Sequence, residues 1–341
     1  MNWKRLVLVL VLSFAILLAG STAAAAKDPP REPTATLLAG GLEELQGSVV
    51  GHGGDLYVTA PLSGSIWRVD RKSGDVTLFA IGLPARNPDL FFIGAGVVDV
   101  AFLGETAYAL VTGVGSDLEP ERDDVVGIYR MDGPDSFTVV ADIGAWSEDN
   151  LPDTPFFVPT GFQYALQTYK GGFIVTDGHH NRVLHVTLDG EITELVAFGN
   201  VVPIGLAIRG NTVYIGQAGP IPHVPEDSRV FSFTLQSPTP TELASGAGLE
   251  DIGLLVDLEF GPGGTLYGLL QGFWDGPFEG APAQPNTGAL VTVNPDGTFT
   301  VILDGLNQPT SLEFIGNTAY VVSLAGEVWR IDHLPAPSKG K

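Results

Sequence analysis

Leu206-Ala-Ile-Arg-Gly-Asn-Thr-Val-Tyr-Ile215 returns, with substitutions, as Leu312-Glu-Phe-Ile-Gly-Asn-Thr-Ala-Tyr-Val321. Val100-Ala-Phe-Leu-Gly-Glu-Thr-Ala-Tyr-Ala109 and Leu258-Glu-Phe-Gly-Pro-Gly-Gly-Thr-Leu-Tyr267 follow the same plan. Each copy has an apolar strand, a turn whose Gly or Asn tolerates positive φ, and a second strand bearing an aromatic residue. That is a β-hairpin, and a hairpin repeated along a chain is the mark of a repeat architecture.

Working outward, the second-strand aromatics fall at Tyr57, Tyr108, Phe173, Tyr214, Tyr267 and Tyr320, spaced 51, 65, 41, 53 and 53 residues apart. Such spacing suits four-stranded blades with loops of varied length. Third strands follow, among them Ile66-Trp-Arg-Val-Asp70, Ile128-Tyr-Arg-Met-Asp132 and Val328-Trp-Arg-Ile-Asp332. Thr/Val-rich fourth strands alternate with period two. The last unit stops after Asp332 without a fourth strand, while residues 34–42 read as a fourth strand with no unit before it. The expected fold is therefore all-β: a six-bladed β-propeller of four-stranded antiparallel blades, its N-terminal strand closing the C-terminal blade and sparing it an unpaired edge. The alternative is an open β-sandwich with coincidental hairpins.

Composition agrees. The 44 glycines and 25 prolines imply many short strands and turns, and no segment after the leader shows clear helical periodicity. Lys4 and Arg5, an apolar run from Leu6 to Leu18 and Ala24-Ala25-Ala26 read as a signal peptide. The expected division is thus a leader over 1–26, the propeller over 27–334 and a tail over 335–341, with a periplasmic or extracellular location. An uncleaved N-terminal anchor is the alternative, although the apolar run is shorter than the roughly 20 residues of a membrane span. No cysteine is present, which excludes disulfides, thiolate metal sites and cysteine nucleophiles. Loss of Lys4 and Arg5 with the leader takes the formal charge from −22 to −24. So acidic a chain, with few and scattered cations, is not expected to bind nucleic acid or an anionic membrane.

Propeller sites gather where loops reach the central channel at one face. The densest such loop is Thr176-Asp-Gly-His-His-Asn-Arg182. His179 with Asp177 is the candidate catalytic pair, because imidazole exchanges protons near neutral pH and a carboxylate can orient it. The loop is equally readable as a turn capped by Asp177 and Asn181, and adjacent His179 and His180 should diverge. Asp99, His180, His223 and Trp274 are candidate ligand-binding residues. Asp99, Asp177 and Asp257 are candidate ligands for a divalent cation such as Ca²⁺, with Asp99 and Asp257 placed at equivalent positions just before first strands. The acidic segment 117–124 could also attract a hard cation, but it lacks the calcium-loop spacing. No G-x-S-x-G, H-E-x-x-H, phosphate-loop or G-x-G-x-x-G pattern occurs.

Asp177-Gly-His-His-Asn-Arg-Val183 resembles the core of NHL-type propeller repeats. Together with Val126–Asp135, Phe157–Gly161, Gly172–Asp177, Gly210–Tyr214 and Pro285–Leu290, it is similar to the ScyD/ScyE family, associated with scytonemin gene clusters. The resemblance implies an exported six-bladed propeller related to gluconolactonase-like folds, and it implies no particular reaction. Two functions are expected: a binding or scaffold module for a small molecule or protein, or a Ca²⁺-dependent lactonase-like hydrolase.

Overall fold

The computed structural model describes residues 31–89, 94–221, 224–246, 249, 253–276, 278 and 280–335. Its strands form six four-stranded antiparallel sheets arranged as the blades of a propeller. Blade 1 runs Ser48–Val50, Leu56–Ala60, Ser65–Val69 and Val76–Ala80, and blade 2 Gly96–Leu103, Thr106–Thr112, Gly127–Gly133 and Ser136–Asp142. Blade 3 comprises Gln163–Tyr169, Gly172–Asp177, Arg182–Thr187 and Ile192–Ala197; blade 4 Pro203–Arg209, Thr212–Gln217, Arg229–Thr234 and Ser237–Ser245. Leu255–Phe260, Leu266–Leu270, Gly288–Val293 and Phe299–Leu306 make blade 5. Blade 6 takes three strands from the C-terminal region, Pro309–Ile315, Thr318–Ser323 and Glu327–Asp332, and its fourth, Thr34–Ala39, from the N-terminal region. That closing strand runs antiparallel to Glu327–Asp332, with Thr34 opposite Asp332 and Ala39 opposite Val328.

Burial explains why these segments read as they do. The second strands Leu56–Ala60, Gly172–Asp177 and Leu266–Leu270 are buried at every residue, because both of their faces are covered by neighbouring blades. Outermost strands such as Val76–Ala80 and Ile192–Ala197 expose part of their surface and so alternate. Six apolar clusters fill the six junctions between adjacent blades, including the one where blade 6 meets blade 1. The repeated aromatics bridge those junctions. Tyr57 packs edge-on against Phe102 of blade 2 at 4.8 Å, Tyr214 against Phe260 at 5.0 Å, and Tyr267 lies 4.8 Å from Phe314. Such contacts contribute on the order of 1 kcal/mol beyond the area they bury. The hairpin turns need left-handed backbone, and Gly210 and Gly316 supply it at φ 64° and 65°.

One element departs from expectation. Ile143–Asp149 is an α-helix, capped by Asp142, whose carboxylate accepts the Ala145 N–H. Seven residues are too few to show a helical period, so its signal was confined to the cap. No helix among the described residues is long and apolar enough to cross a membrane. The expected leader, residues 1–26, lies outside the described residues, as do residues 336–341 of the expected tail.

Candidate functional site

The six first strands surround the axis, and five of them carry a register shift near their start. This bulge is why Asp99 and Asp257 lie inside their strands rather than before them, as the sequence had suggested. Their equivalence is otherwise confirmed atom by atom. Asp99 accepts the Val100 N–H through Oδ1 at 2.8 Å and, through Oδ2, the Leu166 N–H of blade 3 at 2.7 Å. Asp257 accepts the Leu258 N–H at 2.8 Å and the Leu312 N–H of blade 6 at 2.7 Å. Each aspartate thus ties its own innermost strand to the next blade, and the two do so from opposite sides of the ring. Neighbouring junctions use Ser311 and Ser48, whose hydroxyls meet at 2.8 Å, and Gln167, which donates to the Leu206 carbonyl at 2.8 Å. At the two junctions feeding the aspartates the backbone comes closer still. A Cβ on Gly47 would stand 2.4 Å from the Val98 carbonyl oxygen, and one on Gly205 2.9 Å from the Asp257 backbone, so neither glycine is replaceable.

Two cavities meet at these aspartates. The upper one opens at the channel mouth and draws residues from every blade: Gln46 and Gly47, Val98 and Asp99, Tyr164 and His179, Ile204 and Ala218, Val256 and Asp257, and Thr310. Its wall is apolar and aromatic, with Phe162 buried and Phe157 half exposed at the lip. His179 Nε2 and the Tyr164 hydroxyl share a hydrogen bond of 3.0 Å on this wall, with Phe157 and Phe162 against the imidazole at 4.8 and 4.9 Å. The lower cavity is polar and takes in Asp99, Gln167, Asp257, Glu259 and Glu313. Burial is the main force on all four carboxyl groups. It pushes Asp99 and Glu259 up to about 7, against the pull of their backbone hydrogen bonds. Asp257 and Glu313 are raised well above the ordinary range, with burial reinforced by the neighbouring carboxylates.

The loop 177–182 divides its residues between two tasks. His179 faces the mouth. Asp177, His180 and Arg182 turn the other way into a buried network. Arg182 Nε donates to Asp177 Oδ2 at 2.9 Å, Nη1 to the Asn150 carbonyl at 2.6 Å and Nη2 to Ser147 Oγ at 2.9 Å. Its guanidinium also lies over the Trp146 ring. A carbonyl only accepts, so the His180 Nε2 contact with Val158 O at 2.9 Å places the proton on Nε2 and leaves Nδ1 to accept from Arg182. Asn181, at φ 57°, accepts the Val201 and Val202 N–H groups. The network fastens the helix Ile143–Asp149 and the segment after it, which carries Phe157 and Phe162 to the mouth.

Asp177, committed to Arg182 and to Gln163 Nε2 at 3.1 Å, does not line either cavity. Asp99, Asp177 and Asp257 therefore do not converge as a metal-binding set, and no group of three His, Asp or Glu among the described residues could hold a metal ion. In the acidic segment, Arg122 pairs with Glu119 and Asp124, and Asp117 accepts from Thr160. Trp274 donates Nε1–H to the Ala281 carbonyl at 3.0 Å and braces the loop that brings Gly280 and Ala281 to the mouth. His223 lies outside the described residues. Sequence reasoning missed Gln46, Tyr164, Gln167, Glu259 and Glu313. The parallel strings Val256-Asp-Leu-Glu-Phe260 and Thr310-Ser-Leu-Glu-Phe314, each with a Glu in an apolar strand, were the available signal for the last two.

No family model matches the chain, and no curated protein matches it in sequence. Solved structures do match in fold. A gluconolactonase from Xanthomonas campestris superposes with a TM-score of 0.61 at 13% identity, covering 89% of this chain and 90% of its own. The PQQ-bound aldose sugar dehydrogenase from Streptomyces coelicolor gives 0.59 at 13% identity, with 89% and 99% covered. Virginiamycin B lyase from Staphylococcus aureus gives 0.54 at 14% identity, with 88% and 98% covered. At such identities the likeness is one of fold alone, the β-propeller.

Proposed function

We propose that this chain is an exported propeller that binds a small, largely apolar molecule at the mouth of its central channel. One observation carries the reading: a single cavity to which all six blades contribute, with aromatic and aliphatic walls above a few convergent polar groups. Export rests on the leader-like residues 1–26, and kinship with the ScyD/ScyE family on the strings around Asp177–Val183. The test uses Nile red, an uncharged dye that brightens in apolar surroundings. Wild type should bind it saturably at one site. Ile204→Trp, which fills the mouth from a first strand, should abolish binding while leaving Tm unchanged. Unsaturable uptake, or equal binding by the variant, defeats the reading.

A second reading, lactone hydrolysis, is favoured by the His179–Tyr164 pair inside the cavity. His179 Nε2 would take a proton from water as the water adds to the lactone carbonyl carbon, and would return it to the ring oxygen as the acyl C–O bond breaks. Hydrolysis of D-glucono-δ-lactone above the spontaneous rate, lost in His179→Ala, would support it. A rate equal to the uncatalysed one in wild type would remove that lactone as a substrate.

A further inference from the structure

The mouth cavity carries negative charge and, among its described lining residues, no Lys or Arg. Its charged side chains, among the described residues, are Asp99 and Asp257. The lower cavity adds Glu259 and Glu313, and neither cavity is lined by Lys or Arg. Each aspartate oxygen spends one lone pair on a backbone N–H and keeps another. Gln46 adds a further acceptor to the same cavity. Gln46 Oε1 is buried in the same wall and receives no hydrogen bond. Gln46 precedes Gly47, where an added Cβ would stand 2.5 Å from Asp99 Oδ1. A half-buried carboxylate without a counter-charge and a buried amide oxygen without a donor are both costly. Among the described residues that line the two cavities no Lys or Arg answers the four axial carboxyls, whereas Asp177 has Arg182.

Resting on the small-molecule reading above, we propose that the ligand is an organic amine, its ammonium head drawn to the acidic floor that Asp99 and Asp257 line and its apolar body in the aromatic mouth. An ammonium brings one positive charge, which the described residues of the floor do not supply, together with three donors for the carboxylate oxygens. Phe157 and Phe162 suit a flat or aliphatic body. A carboxylate or phosphate of the same shape would meet only like charge and is rejected. Selectivity then comes from what the floor repels as much as from what it holds.

The test needs no knowledge of the natural ligand. Binding of 2-(1-naphthyl)ethylamine, 2-(1-naphthyl)ethanol and 1-naphthylacetate is compared at pH 8 by fluorescence titration of the full chain. These probes share a ring system and differ in their heads. The amine should bind at least about tenfold tighter than the alcohol, as a charge-assisted hydrogen bond requires, and the acid should not bind measurably. In Asp99→Asn and in Asp257→Asn the amine should lose most of that advantage while the alcohol is unaffected. If either variant fails to fold, the wild-type series decides alone. Equal binding of amine and alcohol, or preference for the acid, overturns the amine proposal and leaves the cavity reading standing. Binding of none of the three defeats both.

Discussion

A guanidinium with 1% of its surface exposed must have its donors answered from within, and Arg182 finds Asp177, Asn150, Ser147 and His180 for the purpose. Removing it strands a carboxylate that is itself wholly buried. Arg182→Ala should therefore cost about 3–5 kcal/mol, the usual loss when one partner of a buried pair is deleted. Arg182→Lys should recover little, because a single ammonium cannot reach partners set around a planar fork. Urea unfolding of the two variants checks this, and near-wild-type stability in the lysine variant would show that charge alone suffices. The pairing of Asp177 with Arg182 was not legible beforehand. The string Asp177-Gly-His-His-Asn-Arg182 shows which chemistry is present, but not that His179 faces the channel while its neighbour faces the helix.

At the scale of elements, Thr34–Ala39 looks like a loose leader remnant in sequence and is the fourth strand of blade 6 in space. Ala39 packs into the same cluster as Leu45, Val58 and Val328, where blades 6 and 1 meet. Deleting residues 34–42 should lower Tm of the whole molecule in one cooperative transition. An unchanged melting curve would mean that the ring does not depend on this strand. The closure was readable because a strand missing at one end matched a surplus strand at the other. By contrast, the bulged first strands were not, since a bulge inserts one residue without altering composition. Asp99 and Asp257 consequently seemed to precede strands that in fact contain them. The helix Ile143–Asp149 also escaped notice, held by a single cap and by Arg182 stacked on Trp146.

Across the whole molecule, the four axial carboxyls tie stability to pH. In the folded ring Asp99 and Glu259 release their protons near 7, and Asp257 and Glu313 are likewise raised. In the unfolded chain such groups ionise near 4. Between those values the folded state binds more protons, so the stability these groups contribute is full below about 4 and falls as pH rises through 7. Each group weakens the fold by up to about 1.4 kcal/mol per pH unit in that window. Tm should therefore drop between about pH 5 and pH 7, and the drop should shrink in a Glu259→Gln, Glu313→Gln variant. A Tm that rises over the same interval contradicts this assignment. Because Asp99, Asp177 and Asp257 do not converge, neither Ca²⁺ nor EDTA should shift Tm. A clear shift with either would point to an ion held by another set of ligands.

Local pattern was enough for the class of the protein. Alternating hairpins, six recurrent aromatics and a strand displaced from one end to the other specify a closed six-bladed ring, because strand period, turn chemistry and blade count are properties of neighbouring residues. The channel is different in kind. Gln46, Asp99, Tyr164, His179 and Asp257 are spread over more than two hundred residues, and nothing local to any one of them shows that they share a cavity. Only when six blades close around one axis do four carboxyls come to share a space with no Lys or Arg among its described lining residues, beneath an apolar mouth. Burial and proximity, which set their charge and what they can bind, exist only in the assembled ring.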